Sequence, residues 1–173
     1  MTKVLILYSS IDGHTKKIVE TIKENLDSKN IISLSTINNA PENIENFDKI
    51  LIASSIRYGK ILPVARKFVQ ENHQILNTKK TAFVNINLTA RKTGKDTPET
   101  NAYTKKFLLK TPLKPKLTGV FAGKLDYSLY GPLDTLMIKL IMKITGGPTK
   151  TPEPIEYTNW EKVKEFARDF DTL

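Results

Sequence analysis

Five short apolar runs, set between polar or helix-patterned stretches, constrain the fold of this chain most. They are KVLILYS (3–9), IISLSTI (31–37), FDKILIASS (47–55), TAFVNINL (81–88) and LTGVFAG (117–123). Each reads as a strand. IISLSTI alternates, whereas the others are apolar enough to be covered on both faces. Helical patterns lie between them. Ile18, Ile22 and Leu26 are four apart and predict an amphipathic helix over 14–27. Pro63 suits the first turn of a helix over 62–73, with Val64, Phe68 and Val69 inward. Thr97 and Pro98 read as an N-cap and N1 residue opening a helix to about Leu109. Thr158 and Glu161 have capping-box spacing for a closing helix over 157–170. The order β-α-β-β-α-β-α-β-insert-α predicts one α/β domain over 1–173, built on an open parallel sheet.

A chain of 173 residues can bury roughly 70% of its unfolded surface, so it needs no covalent staples. It has no cysteine, which removes disulfides, thiolate catalysis and cysteine-held iron–sulfur clusters, and only two histidines, so no metal site is expected. The first apolar run is too short for a signal peptide, and no run approaches the ~20 apolar residues of a membrane span. The net charge is +9. Residues 91–124 carry nine basic residues against Asp96 and Glu99, hence +7 of that charge. Such a patch is either a solvated face or a site for something anionic. Nucleic acid is not expected, since no helix-turn-helix, zinc or RRM signature accompanies it.

In open parallel sheets, ligands sit beyond the carboxyl ends of the strands, where strand order reverses. The first strand ends in a polar knot of Ser9, Ser10, Asp12, Gly13, His14 and Thr15, which opens the first helix. A helix N-terminus with hydroxyls and a glycine suits a phosphate; the bland reading is an N-cap with spare polar residues. The Walker A and G-x-G-x-x-G loops are both absent. The knot resembles the [ST]-x-x-[ST/D]-G-x-T phosphate loop of flavodoxins. His14 is expected to contribute its backbone N–H and not to act as a base. Two further strand ends, SSIRYGK (54–60) and NINLTARK (85–92), are polar and rich in accessible backbone, and Tyr58 adds an aromatic face.

Longer blocks sharpen the likeness. SIRYG (55–59), NLTARKTGKDTPETNAYTKKFL (87–108), FAGKLDY (121–127), MIKLIMKITGG (137–147) and YTNWEKVKEFAR (157–168) closely resemble the menaquinone-dependent protoporphyrinogen IX dehydrogenases, flavodoxin-like proteins of bacterial haem synthesis. The resemblance runs from about residue 3 to 170. It implies a doubly wound five-stranded sheet of order 2-1-3-4-5, with an apolar helical insert near 126–146. It implies FMN, with the phosphate at Ser9, Ser10, Asp12, Gly13, His14 and Thr15. The ring would lie between Arg57, Tyr58, Gly59 and the segment Asn87, Leu88, Thr89, Ala90, Arg91. The substrate would be a porphyrinogen and the acceptor a quinone, menaquinone in this family. The alternative is a flavodoxin-type electron carrier, although such carriers are typically acidic and this chain has a pI near 9.6.

A porphyrinogen is an apolar disc with carboxylate arms. Arg91, Lys92 and Lys95 are placed to meet carboxylates, and Met137, Leu140 and Ile141 belong to a candidate apolar wall. In LDTLMIKLIMKI (133–144), Thr135, Lys139 and Lys143 form one stripe and apolar residues fill most of the rest, a wider arc than a surface helix needs. Either this helix packs on the sheet, or it meets substrate and a membrane surface. The second reading places the protein in the cytoplasm, peripheral on the cytoplasmic face of the inner (plasma) membrane.

Overall fold

The apolar runs form strands because each can hide both faces at once. The computed structural model describes residues 1–173. β1 (Lys3–Ser9) leads through α1 (His14–Glu24) to β2 (Ile31–Thr36), then to β3 (Lys49–Arg57), β4 (Lys60–Ile61) and α2 (Pro63–Thr78). β5 (Lys80–Ile86), α3 (Ala102–Lys110), β6 (Leu117–Phe121) and β7 (Lys124–Leu125) follow. The chain closes with α4 (Pro132–Ile144), β8 (Ile155–Glu156) and α5 (Trp160–Thr172). The main sheet runs β2-β1-β3-β5-β6 with every neighbouring pair parallel, the expected 2-1-3-4-5 order of a flavodoxin-like fold. β2 and β3 lie on opposite sides of β1, so strand order reverses at β1/β3, where Ser9 pairs with Ser54 in register.

Alternate residues of β1 feed two cores. Val4 and Ile6 join Ile18 and Ile22 of α1 and Val163, Phe166 and Phe170 of α5. Leu5 and Leu7 join Val69 and Leu76 of α2 and Phe83 of β5 on the other face. Each such buried side chain contributes about 1.5–3 kcal/mol of transfer free energy. Gly119 permits a close approach of α5 to β6: a Cβ there would lie 2.9 Å from two ring atoms of Phe166.

Two helices start later than the sequence signals suggest. α3 begins at Ala102 and not at Pro98, because the Asn101 side chain, not Thr97, accepts the capping N–H from Thr104. Asn101 is fully buried and also donates to the Asn87 side chain and the Lys95 carbonyl, so residues 92–100 wrap around it as a loop. α5 is capped by Asn159, whose side chain accepts from the Lys162 N–H. The Thr158 hydroxyl is drawn away to the Ala122 carbonyl, so no Thr158–Glu161 box forms. β4 turns back on β3 through Tyr58 (φ 49°) and Gly59 (φ 72°). Two positive φ angles are the geometry of a tight type I′ hairpin, which glycine adopts freely and tyrosine only under strain. β7 and β8 pair antiparallel and close off the excursion that carries α4.

Candidate active site

The knot after β1 is shaped by its own short side chains. Gly13 has φ +84° and open space where a Cβ would be. Its N–H donates to the Ser10 hydroxyl, and the His14 N–H donates to the Asp12 carboxylate at 3.3 Å. The next two N–H groups of α1, on Thr15 and Lys16, find no acceptor in the protein. The Thr15 hydroxyl is buried and equally without a partner. Three donors are therefore gathered at one helix N-terminus. An uncompensated buried hydroxyl costs about 1–3 kcal/mol, and a phosphate would satisfy it. Across the switch point, the buried Ser55 hydroxyl is also unpartnered. Both residues line one cleft at the carboxyl ends of β1, β3 and β5. The residues present fit a flavin nucleotide.

The cleft brings together much of the expected set. Asp12, His14 and Thr15 line it, as do Arg57, Tyr58, Gly59, Asn87, Leu88 and Thr89. Ser9, Ser10 and Gly13 stand behind this lining; Ser9 is buried and its hydroxyl donates to that of Ser54 at 2.9 Å. The Asn87 side chain is committed to the chain, accepting from the Ala90 N–H at 3.1 Å and the Thr89 hydroxyl at 2.5 Å. Its part is to hold the 88–91 turn in shape.

Ala90 and Arg91 lie outside the cleft. Ala90 is buried against Val120 and Ala122. The Arg91 guanidinium donates to the Leu88 carbonyl at 2.8 Å and to the Thr145 hydroxyl and carbonyl at 2.8 and 3.1 Å. It ties the end of α4 to the loop after β5 and is not free to receive carboxylates. Lys92 and Lys95 are exposed and also absent from the cleft wall. Arg57 makes a matching tie, its guanidinium donating to Asp134 in the first turn of α4 at 2.5 Å.

α4 thus lies over the cleft, anchored at both ends by an arginine. Met137, Ile138 and Ile141 face the cavity, while Leu140 is outside it. Only Met142 is fully buried among the residues of this helix. Leu133, Leu136, Leu140 and Ile144 are 61%, 65%, 49% and 74% exposed, so the wide apolar arc is not explained by the core. Exposed Ile11 and Tyr58 continue the apolar rim.

Charge in the cleft is mostly compensated. Lys124 pairs with Asp126 at 2.9 Å, and the Ser128 hydroxyl together with Lys124 holds the Asp126 carboxyl below its ordinary range. Burial pushes the Tyr130 hydroxyl up to about 12. That hydroxyl accepts from the Asp126 N–H and donates to the Lys124 carbonyl. Burial pushes the His14 imidazole below 6.5, which keeps it neutral at pH 7. Its Nε2 donates to the Thr158 hydroxyl at 2.6 Å, since that hydroxyl gives its own proton to Ala122. The ring thus ties the knot to α5, and its backbone is what lies at the helix start. Sequence reasoning missed Ile11, Ser55, Tyr103, Lys124, Tyr130, Asp134 and Ile138 as cleft residues. Four of these were within reach: Ile11 sits inside the knot itself, and Ser55, Tyr103 and Lys124 fall in the blocks SIRYG, NLTARKTGKDTPETNAYTKKFL and FAGKLDY, whereas Tyr130, Asp134 and Ile138 depend on where the insert docks.

The pattern of the flavodoxin domain family matches residues 5–152. The chain is 41% identical over 174 residues to a "Protoporphyrinogen IX dehydrogenase [quinone]" of Leishmania major, covering 99% of this chain and 75% of that protein. It is 40% identical over 173 residues to the protein of the same name from Escherichia coli (strain K12), covering 99% and 96%. Among solved structures it superposes on oxidised Flavodoxin 2 from Bacillus cereus with a TM-score of 0.60 at 19% identity, covering 99% of each chain. The two-electron reduced flavodoxin of Megasphaera elsdenii gives a TM-score of 0.59 at 14% identity, covering 98% and 99%. At such identities these two structures speak for the fold alone.

Proposed function

The chain belongs to the flavodoxin domain family, among the quinone-dependent protoporphyrinogen IX dehydrogenases, and we infer that it oxidises protoporphyrinogen IX to protoporphyrin IX through bound FMN. The observation that carries the reading is the apolar helix roofing the strand-end cleft. It puts a wall for a flat macrocycle directly beside a phosphate-ready loop. FMN, when bound, supplies the redox chemistry by taking up two electrons and passing them on. Forming the aromatic macrocycle removes six electrons and six protons, so three quinones leave as quinols for each porphyrin made.

The residues of this chain bind, orient and exclude water. The Thr15 hydroxyl, with the N–H groups of Thr15 and Lys16, would hold the phosphate. The Tyr58-Gly59 turn and Asn87–Thr89 would border the ring, and Met137, Ile138 and Ile141 would cover the face where the macrocycle lies. No cysteine or cationic histidine stands in the cleft, and the chemistry requires neither.

The acceptor is proposed to be menaquinone and the pathway haem synthesis. No helix is long and apolar enough to cross a membrane. A lipid-confined quinone must therefore be met at the surface. Leu133, Leu136, Leu140 and Ile144 would enter the bilayer boundary with Lys139 and Lys143 at headgroup level, on the cytoplasmic face of the inner membrane. The electron-carrier alternative has no use for such a wall. The test is anaerobic conversion of non-fluorescent porphyrinogen to fluorescent porphyrin by FMN-loaded protein with a menaquinone analogue. A rate no higher than the uncatalysed one rejects the enzyme.

A further inference from the structure

The apolar cleft accounts for the disc of a porphyrinogen but not for its carboxylates. The two arginines of the ring loops are consumed, Arg57 by Asp134 and Arg91 by Leu88 and Thr145. A different surface supplies the charge. Beyond the Tyr58-Gly59 turn, a groove of about 670 Å³ runs between β4, the first turns of α2, and α3. That volume is in the range of small-molecule sites. Five cations line it: Lys60, Arg66, Lys67, Lys106 and Lys110; no acidic residue does. Of these, only Lys67 has an ion-pair partner, Glu71 at 3.8 Å on its own helix. Arg66 is fixed by its Nε, which donates to the Ile61 carbonyl at 3.0 Å. Lys106 and Lys110 are one helical turn apart on α3, so they share a face.

The groove is continuous with the cleft. Gly59 and Tyr103 line both. The Tyr103 ring lies 3.6 Å from where a Cβ on Gly59 would be, so this pair forms the sill between the two spaces. The floor on the groove side carries Phe107, its ring 4.8 Å from that of core Phe83 and tilted by 30°. An apolar disc resting under α4 at this sill would have its carboxylated edge over five uncompensated or weakly compensated cations.

We propose that the β4–α2–α3 groove is the subsite for the propionate arms of the substrate, with Lys106 and Lys110 as its principal charges. The proposal rests on the porphyrinogen reading above. It assigns substrate polarity, with the apolar edge toward α4 and the acidic edge toward α3. Exposed charge pairs are individually weak, but several cations acting on a dianion add selectivity and steering.

The experiment uses FMN-loaded protein in neutral detergent micelles, titrated with protoporphyrin IX and with its dimethyl ester. Acid and ester share the ring and differ only in charge. Wild-type protein should bind the acid at least about tenfold more tightly than the ester, and the Lys106→Glu, Lys110→Glu double variant should lose that preference while binding the ester and FMN unchanged. Both residues are exposed and bonded to nothing, so the variant should fold. With porphyrinogen, KM should rise by a similar factor and kcat at saturation should hold. Equal affinity of the wild type for acid and ester overturns the groove. So does unchanged acid binding by the variant, or a variant that loses only its hold on phosphatidylglycerol vesicles, which would make the groove a lipid contact. A wild-type protein that discriminates acid from ester yet makes no porphyrin sinks the enzymatic reading separately.

Discussion

Replacing Thr15 by valine should stabilise the FMN-free protein and weaken its hold on FMN. The side chain is 0% exposed and its hydroxyl has no partner. Valine keeps the shape and removes the unpaired oxygen, so the FMN-free fold should recover about 1–3 kcal/mol. For a chain of this length that raises Tm by roughly 2–4 °C per kcal/mol. If the hydroxyl donates to the phosphate, its loss removes a charge-assisted bond of about 1.5–3 kcal/mol, so Kd should rise roughly ten- to 150-fold. Calorimetry on FMN-free protein and quenching of free FMN fluorescence read the two effects. Ser35 provides the control, since its hydroxyl is also buried and unpartnered but lies in β2, away from the cleft. Ser35→Ala should raise Tm and leave FMN affinity alone. A Thr15→Val protein with lower Tm, or with unchanged FMN affinity, refutes the reasoning.

Because burial lowers the His14 pKa, the folded protein takes up that proton at lower pH than the unfolded chain. Stability should therefore be intact above pH 6.5 and fall as pH drops from 6.5 through the lower folded value. Urea titrations should show a smaller acid loss in His14→Gln than in wild type, and equal losses contradict the assignment. Leu140→Asp, at a half-exposed position outside the cleft, should abolish liposome binding with FMN retained; an unfolded variant would make α4 part of the core. Asp134→Asn breaks a partly exposed pair and should cost less than about 1 kcal/mol in urea, yet speed proteolysis within 126–146. Gly119→Ala drives a methyl into Phe166 and should destabilise the fold by about 1–3 kcal/mol in the same titration.

The sheet was legible because its central strands are almost wholly apolar, and the order of strands and helices leaves few right-handed solutions. The starts of α3 and α5 were misplaced for one shared reason. Thr97 and Thr158 carry good local cap chemistry, but buried Asn101 and the His14–Thr158–Ala122 chain recruit distant partners that override it. Two-residue ladders such as β4 and β7–β8 have no periodicity to read. The knot after β1 was visible as a run of small polar residues at a strand end. The far wall was visible in part, as the apolar arc holding Met137 and Ile141; Tyr130 and Asp134 were not, because they reach the cleft only through the docking of the insert. Arg91 shows the limit of reading by charge: its sign suggested carboxylates, and its partners are the Leu88 carbonyl and a threonine 54 residues away.

Arg57 and Arg91 come from the two loops that border the cleft, and each grips one end of α4. If α4 docks on a bilayer as proposed above, nucleotide retention and that docking share the same hardware. Whatever steadiness a lipid surface lends the helix is returned, by reciprocity, to the loops beneath it. On that reading, protein adrift in buffer would be the first to lose its yellow colour, and colourless protein the poorest at binding a lipid surface.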